Sequence, residues 1–461
     1  MSGTKRYEID MLNGPLAGKT IRFALPFMLA NIIQLLFNAA DVVVVGKFVG
    51  DLSQAAVTST GSLINLLINL FVGLGVGVNV VVARALGSGD RSRVGAVVHT
   101  SVTIGLIAGA ILVVVGEVFA PMLLRLMGSP DNIIGLSALY LRVYFLGLPG
   151  ALVYNFGSAL LRAQGDTKRP MYYLSFAGVV NVVLNLIFVV FFHWDVAGVA
   201  AATAISKYVS AALVVWCLMQ ETGIMHFDPA EMKVDWTALK EISRIGLPAG
   251  LQGSLFSLSN VTIQAGVNSM GEVVMAGSGA AANIGGFIYT VANAFYQSAM
   301  TFTSQNSGAG KTDRVDKVLK WNLLFATTIP TVVGIAAYAV GPWLLGIYTD
   351  DPEVIRQGLT RMLLISNFYG LCGIMEVTIG VLRGLGHTLL PVITSLLGSC
   401  GLRIVWVYTV FQHFQTPASL YSCYPITWLV TGLAQMICFW YLRPRDYARI
   451  KANAEAAAAR G

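Results

Sequence analysis

One stretch of this sequence places a carboxylate where hydrocarbon should be. Asn31, Gln34, Asn38 and Asp41 are spaced 3, 4 and 3 apart in a segment otherwise made of Ile, Leu, Phe, Ala and Val. At helical pitch they share one face. An ionisable group at membrane depth is a functional hypothesis by default, because it must face protein or water and be neutralised by a proton, a cation or hydrogen bonds. The bland alternative is a carboxylate near the interface that braces helix ends. Asn181 and Asn185, one turn apart, and Thr203 beside a run of Ala supply amide and hydroxyl oxygens. Carboxylate plus such oxygens suits a hard monovalent cation such as sodium, and suits a hydrogen-bonded proton equally; interhelical hydrogen bonding without transport is the alternative. Further on, Tyr289, Asn293, Tyr296 and Gln297 give one helix an aromatic and polar face that lines a cleft or simply packs. Glu376 and Arg403 are ionisable groups in neighbouring segments. They are expected to form an ion pair, with substrate or proton binding at Glu376 as the alternative. Lys207 is expected to snorkel to the interface.

Composition says what must hold these groups. Of 461 residues 56% are hydrophobic and 11% charged, less than half the quarter usual in soluble domains. Twelve apolar segments reach spanning length: 20–46, 55–82, 95–117, 138–161, 171–192, 196–219, 245–268, 274–302, 318–342, 358–382, 391–412 and 420–442. With the N-terminus inside, 23 of the 30 Lys and Arg, from Lys5 and Arg6 to Arg445, fall in the inner connections and tails. That is the positive-inside pattern, so the net charge of +7 reports topology and not a nucleic-acid partner. Five scattered Cys and five scattered His give no disulfide framework or metal spacing. Gly73, Gly75 and Gly77 lie within a span and read as close helix packing, not as a nucleotide loop. No Walker, G-x-S-x-G or H-E-x-x-H motif occurs, which points away from ATP-driven transport and from an enzyme.

The second half restates the first. Leu25-Pro26 and Asn38 match Leu247-Pro248 and Asn260 at an offset of 222. Gly87, Gly89, Arg93, Arg162, Gly165, Thr167 and Pro170 match Gly308, Gly310, Arg314, Arg383, Gly386, Thr388 and Pro391 at 221. Six helices per repeat make the two halves parallel, related by a pseudo-two-fold axis along the membrane normal. The expected fold is an all-α integral membrane protein with twelve transmembrane helices in two six-helix lobes. The N-lobe covers 1–220, a cytoplasmic linker 221–244, the C-lobe 245–443 and a cytoplasmic tail 444–461. In the linker, Asp235 is expected to cap a short amphipathic helix through Trp236, Leu239, Ile242 and Ile245, lying on the inner membrane surface. Pro26 and Pro248 are candidate hinges. Two facing bundles suit alternating access better than a channel.

With these residues in view, the chain resembles the multidrug and toxic compound extrusion (MATE) family. The resemblance rests on Asn-Ala-Ala-Asp41 followed by Val-Gly-Lys-Phe-Val-Gly, and on the Gly-Ser-Gly and Gly-Ala-Gly loops. It rests also on the stretch from Leu161-Arg162 to Pro170 and its echo from Leu382-Arg383 to Pro391. The resemblance implies a V-shaped two-lobe carrier of a bacterial inner membrane, with both termini cytoplasmic. It implies export of amphipathic organic cations, including antibiotics, by proton or sodium antiport, with no other cofactor. The family's ion-coupling positions fall on Asp41, Asn181, Asn185 and Thr203, the possible sodium ligands. Gln34, Asn38, Tyr289, Asn293 and Glu376 are candidate substrate contacts, and Arg403 is structural. Some members carry an acid where this chain has Asn185, and others a Glu within helix 7, where this chain has none. Membrane lipid and small molecules are the expected partners, and a monomer the expected state. The rival classes are a lipid-linked oligosaccharide flippase, a major facilitator carrier and a membrane-embedded enzyme.

Overall fold

A computed structural model describes residues 7–126 and 132–458, which excludes Lys5, Arg6 and the end of the tail. Among the described residues every regular element is helical. The first repeat consists of α1 (Leu16–Phe48), α2 (Asp51–Ser88), α3 (Arg91–Leu126), α4 (Ile134–Leu146), α5 (Leu148–Ala163), α6 (Lys168–Leu186) and α7 (Asp195–Gln220). The second consists of α8 (Trp236–Asn268), α9 (Glu272–Gly308), α10 (Thr312–Ala339), α11 (Gly341–Gly346), α12 (Pro352–Ile365), α13 (Tyr369–Gly384), α14 (Leu389–Ser395), α15 (Leu402–Trp406), α16 (Gln412–Phe414), α17 (Pro417–Tyr421) and α18 (Cys423–Ala458).

Nine described helical stretches are long and apolar enough to cross a bilayer, and the pair α4 and α5, bent by 46°, makes a tenth. α8 and α9 have the length, at 33 and 37 residues, but are not among these. Ser, Asn, Gln and Thr interrupt their apolar stretches.

The duplication is visible in the backbone. Gly50, Gly89 and Gly165 have positive φ, and so do Gly271, Gly310 and Gly386, each 221 residues later. Both copies break their fourth helix, at Gly147 and at Ser366–Phe368. Both also loosen to π-helix late in their fifth, at Ile187–Phe191 and Val407–Phe411. The copies therefore share turn geometry and these two helix defects as well as sequence, and the second has a further π-helical stretch at Leu396–Gly401.

By their contacts the described residues fall into two compact units. One contains the residues through Ile9 and Leu29–Gly250; the other contains Asp10–Met28 and the chain from Leu251 onward. α1 and α8 thus each divide between units, two or three residues past Pro26 and Pro248.

The connector does not form a separate surface helix. Asp235 Oδ1 accepts from Ala238 N at 2.7 Å, as a cap should, but the helix it starts is α8 itself. Ile242 and Ile245 are buried. They are turned inward because α8 packs directly on α2: a Cβ on Gly77 would lie 2.2 Å from the Ile242 carbonyl oxygen, and one on Gly73 2.2 Å from Gly250 N. Gly75 meets Asn155 instead. Upstream, the connector is fastened to α3, with Asp228 N donating to His99 Nε2 at 3.2 Å and Asp235 N to Thr100 Oγ1 at 2.9 Å. The expected tail after residue 443 is helical as far as Ala458, continuing α18 through Pro444.

Buried charge fastens the turn after α5. Asp166, fully buried, accepts from the backbone of Lys168 and Arg169, and pairs with the Arg169 guanidinium, which also meets Glu221. In the second unit, Asp446 takes a comparable place between His387 and Arg449.

Two stability outcomes follow. Gly77→Val forces a side chain into the Ile242 backbone and should cost at least about 1–3 kcal/mol, lowering the thermal midpoint in detergent. Gly61→Ala, where a Cβ meets nothing within 4 Å, should leave it almost unchanged. Arg169→Ala leaves Asp166 and Glu221 buried without their cation and should cost about 3–5 kcal/mol in the same measurement.

Candidate functional site

Three helices of the first unit converge on Asp41. α6 can approach α1 because Gly178 lies against Phe37: a Cβ there would fall 1.7 Å from the ring. One turn later Asn181 and Asn185 reach the same level. Asn185, fully buried, donates from Nδ2 to Asp41 Oδ1 and also approaches Asn181 Oδ1 at 3.4 Å. Asn181 in turn donates to Thr203 Oγ1 at 3.3 Å. The Thr203 hydroxyl donates to the Val199 carbonyl at 2.9 Å and lies near Asp41. All four residues named from spacing therefore form one connected network. Asn185 Oδ1 is buried with no hydrogen-bond partner, so the network holds an unused oxygen acceptor.

The chemistry of this donor set is oxygen only: one carboxylate, two amides and a hydroxyl. Such oxygens fit a hard monovalent cation, and they equally hydrogen-bond a protonated carboxyl. No cluster of three or more His, Cys, Asp or Glu suited to a metal exists among the described residues. Gln34 and Asn38, on the same helix as Asp41, are exposed. They can meet a ligand.

Two tyrosines and a lysine complete the site, and spacing alone had not singled them out. Tyr140 and Tyr144, one turn apart on α4, interact electrostatically with Asp41. Lys207, one turn after Thr203 on α7, does not snorkel. Its Nζ is buried, without a hydrogen-bond partner, 3.3 Å from the centre of the Tyr144 ring. The reason is depth: twelve residues into α7, at about 1.5 Å per residue, its stem cannot reach an interface at the start of the helix. The i, i+4 relation of Lys207 to Thr203 was the available signal.

The second unit gives a different group. Tyr289 donates to Glu376 Oε1 at 3.2 Å, and Asn293 hydrogen-bonds Tyr289. Glu376 interacts electrostatically with Arg383, two turns along α13, and not with Arg403 as expected. Arg383 donates to Tyr296 Oη at 2.5 Å and Gln252 Oε1 at 2.8 Å. Arg403, 3% exposed, lies over the Tyr424 ring at 4.4 Å and reaches Thr427 at 3.3 Å and Asn260 at 3.4 Å. Neighbouring helices do not guarantee facing side chains, and these two point to different partners. Ile263, at the position that matches Asp41 in the repeat, is buried.

The MatE family model matches residues 26–187 and again 248–409. The chain belongs to the MatE family. It is an all-helical, multi-pass membrane transporter, and this is a family of transporters and not of enzymes. Among its relatives, the "Probable multidrug resistance protein YoeA" of Bacillus subtilis is 27% identical over 399 residues, covering 85% of this chain and 86% of its own. The "FAD transporter" of Shewanella oneidensis is 25% identical, covering 96% and 98%. A solved structure described as an outward-facing multidrug resistance MATE family transporter of the MOP superfamily superimposes with a TM-score of 0.87. It is 22% identical, and the match covers 96% of this chain and 98% of the other.

Removing the Asn185 amide tests the network. Asn185→Leu leaves the Asp41 carboxylate without its donor and should cost about 1.5–3 kcal/mol, seen as a lower thermal midpoint. Combined with Asp41→Asn, the two effects should be clearly less than additive.

Proposed function

We propose that this transporter exports amphipathic organic cations from a bacterial cell, across the plasma membrane, by antiport against inward proton or sodium movement. In this reading both termini are cytoplasmic and access to the substrate alternates between the two sides. The observation that carries it is the connected Asp41, Asn185, Asn181 and Thr203 network. It is a charged group at membrane depth, supplied with oxygens, inside a MatE fold whose relatives are named for multidrug resistance.

The coupling follows from linkage. An ion that occupies or neutralises Asp41 shifts the protein only if it binds the two access states unequally, and a drug must do so in the opposite sense. Asp41 is the one carboxylate of its cluster, so ion and cationic drug both answer to its charge. Gln34 and Asn38, exposed on the same helix, are the substrate contacts of the first unit. Tyr289, Asn293 and Glu376 are those of the second. Pro26 lacks the amide hydrogen that would bond four residues back, so α1 can bend there as Asp41 changes state. Pro248 gives α8 the same freedom.

Purified protein in liposomes tests this. Under an imposed proton gradient, then a sodium gradient, uptake of a fluorescent lipophilic cation should follow one of them. Asp41→Asn should abolish gradient-driven uptake while the protein remains folded. Uptake by the variant at the wild-type rate would make Asp41 structural and leave Glu376 as the coupling carboxylate. FAD serves as a second probe because of the flavin-transporting relative; its gradient-driven movement without that of cations would replace the substrate class.

A further inference from the structure

Lys207 is the group that the coupling scheme above leaves unused. Its ammonium has three donors and no acceptor, in a region where an unpaired charge is expensive. Its place is built. The Lys207 stem runs over Gly147, where a Cβ would come within 3.3 Å of Cδ, and the α7 backbone at Lys207 crosses Gly150 just as closely. The next residue, Tyr208, donates to the Leu146 carbonyl at 2.7 Å and fixes the bend between α4 and α5. The Tyr144 ring then receives the ammonium on its face, which is a recognised way to hold a cation. The charged and titratable groups around it are Asp41 on α1 and Tyr140 and Tyr144 on α4. α6 brings only the neutral Asn181 and Asn185.

Lys207 interacts electrostatically with Asp41, yet the two are not in ion-pair contact. The network accordingly contains an acceptor without a donor, Asn185 Oδ1, and a donor without an acceptor, Lys207 Nζ. With Lys207 in its ammonium form, a sodium ion entering among the Asp41, Asn181, Asn185 and Thr203 oxygens would meet a positive charge already there. At an effective dielectric constant near 20 and a separation of several ångströms, such repulsion weakens binding on the order of 100-fold. The same ammonium also opposes a proton on Asp41, but a proton is held by a covalent O–H bond and needs no shell of ligand oxygens, so the ion that must be ligated loses more.

We propose that Lys207 is a tethered counter-cation that takes the place of a metal ion beside Asp41, excluding sodium and leaving the proton as the coupling ion. This rests on the antiport reading for the word coupling, but the exclusion of sodium is a binding property that can be measured without transport. Lys207 is a positioning and selectivity residue, since it acts through Asp41.

The test is thermal unfolding of purified protein in detergent, titrated with sodium chloride against choline chloride at fixed ionic strength. Wild type and Lys207→Arg should show no sodium-specific rise in midpoint. Lys207→Met, and Lys207→Gln as a second neutral variant, should gain one, with saturation, and Asp41→Asn on top of either should remove it. A sodium-specific rise in wild type overturns the proposal, and so does sodium indifference in both folded neutral variants. In liposomes, a proton gradient should drive wild-type uptake and a sodium gradient should not. Sodium-driven uptake by wild type also overturns it. If neither gradient drives uptake, the antiport reading fails, and with it the coupling part of the proposal, while the unfolding series still decides whether Lys207 bars sodium.

Discussion

A carboxylate on an apolar helix cannot be left alone in hydrocarbon, and most of the first unit answers that one constraint. Asp41 needs donors, the donors are on α6 and α7, and those helices must therefore approach α1 closely. Gly178 against Phe37 permits the first approach. Gly147 and Gly150 let α7 pass the α4–α5 bend, which brings Lys207 and Tyr144 to the same level. The α-helix gives way to a π-helical stretch directly after Asn185, at Ile187–Phe191. Such defects cluster at functional sites because they re-aim side chains without ending the helix. Small residues thus bring the donor helices to a single side chain, on a bend and a change of pitch that the second unit has as well.

The second unit inherits the same backbone and solves a different electrostatic problem. Its copy of the bend and of the π-helical stretch is present, but Ile263 stands where the carboxylate would be. Its charges are placed elsewhere: Glu376 under the Tyr289 hydroxyl, Arg383 between Tyr296 and Gln252, and Arg403 against Tyr424. Each cation has an aromatic ring and neutral oxygens around it, and none of the three charges has an opposite charge in direct contact among the described residues. Duplication preserved geometry, and the charged residues diverged on top of it.

This difference explains what could be read from the sequence. The repeat was legible because positive-φ glycines and helix-breaking prolines tolerate few replacements, so they stay in register. The Asp41 network was legible because helical spacing puts Asn181 beside Asn185, and because a polar residue in an apolar run has few places to go. The partner of Glu376 was not legible, since helix adjacency does not fix rotation about the helix axis, and Arg403 faces Asn260 and Thr427 instead. The depth of Lys207 was misjudged for a related reason: snorkelling depends on distance to the interface, which a helix start fixes only once its direction into the bundle is known. The supposed surface helix after Asp235 failed because its amphipathic stripe has two possible uses. An apolar stripe fits a membrane surface or a facing helix, and only Gly73 and Gly77 on α2, far earlier in the chain, decide for the helix.

The division of α1 and α8 bears on how a charge at Asp41 can have any reach. Fifteen residues, about 22 Å of helix, separate Pro26 from Asp41. Over that length an intact helix carries displacement as a rod, since its backbone hydrogen bonds run without interruption. At Pro26 one of those bonds is missing, and the contacts of the helix change from one unit to the other within three residues. The weakest point of the rod therefore coincides with the point where its packing partners change. The same coincidence occurs at Pro248 in α8, and the two copies of the family match begin at these prolines. A bend anywhere else would break hydrogen bonds and packing together, whereas here it breaks neither in full. In the proposed antiport, a change of charge at Asp41 that altered the hold of Asn185 on the helix would find its least costly relief at Pro26, at a distance but along one continuous element.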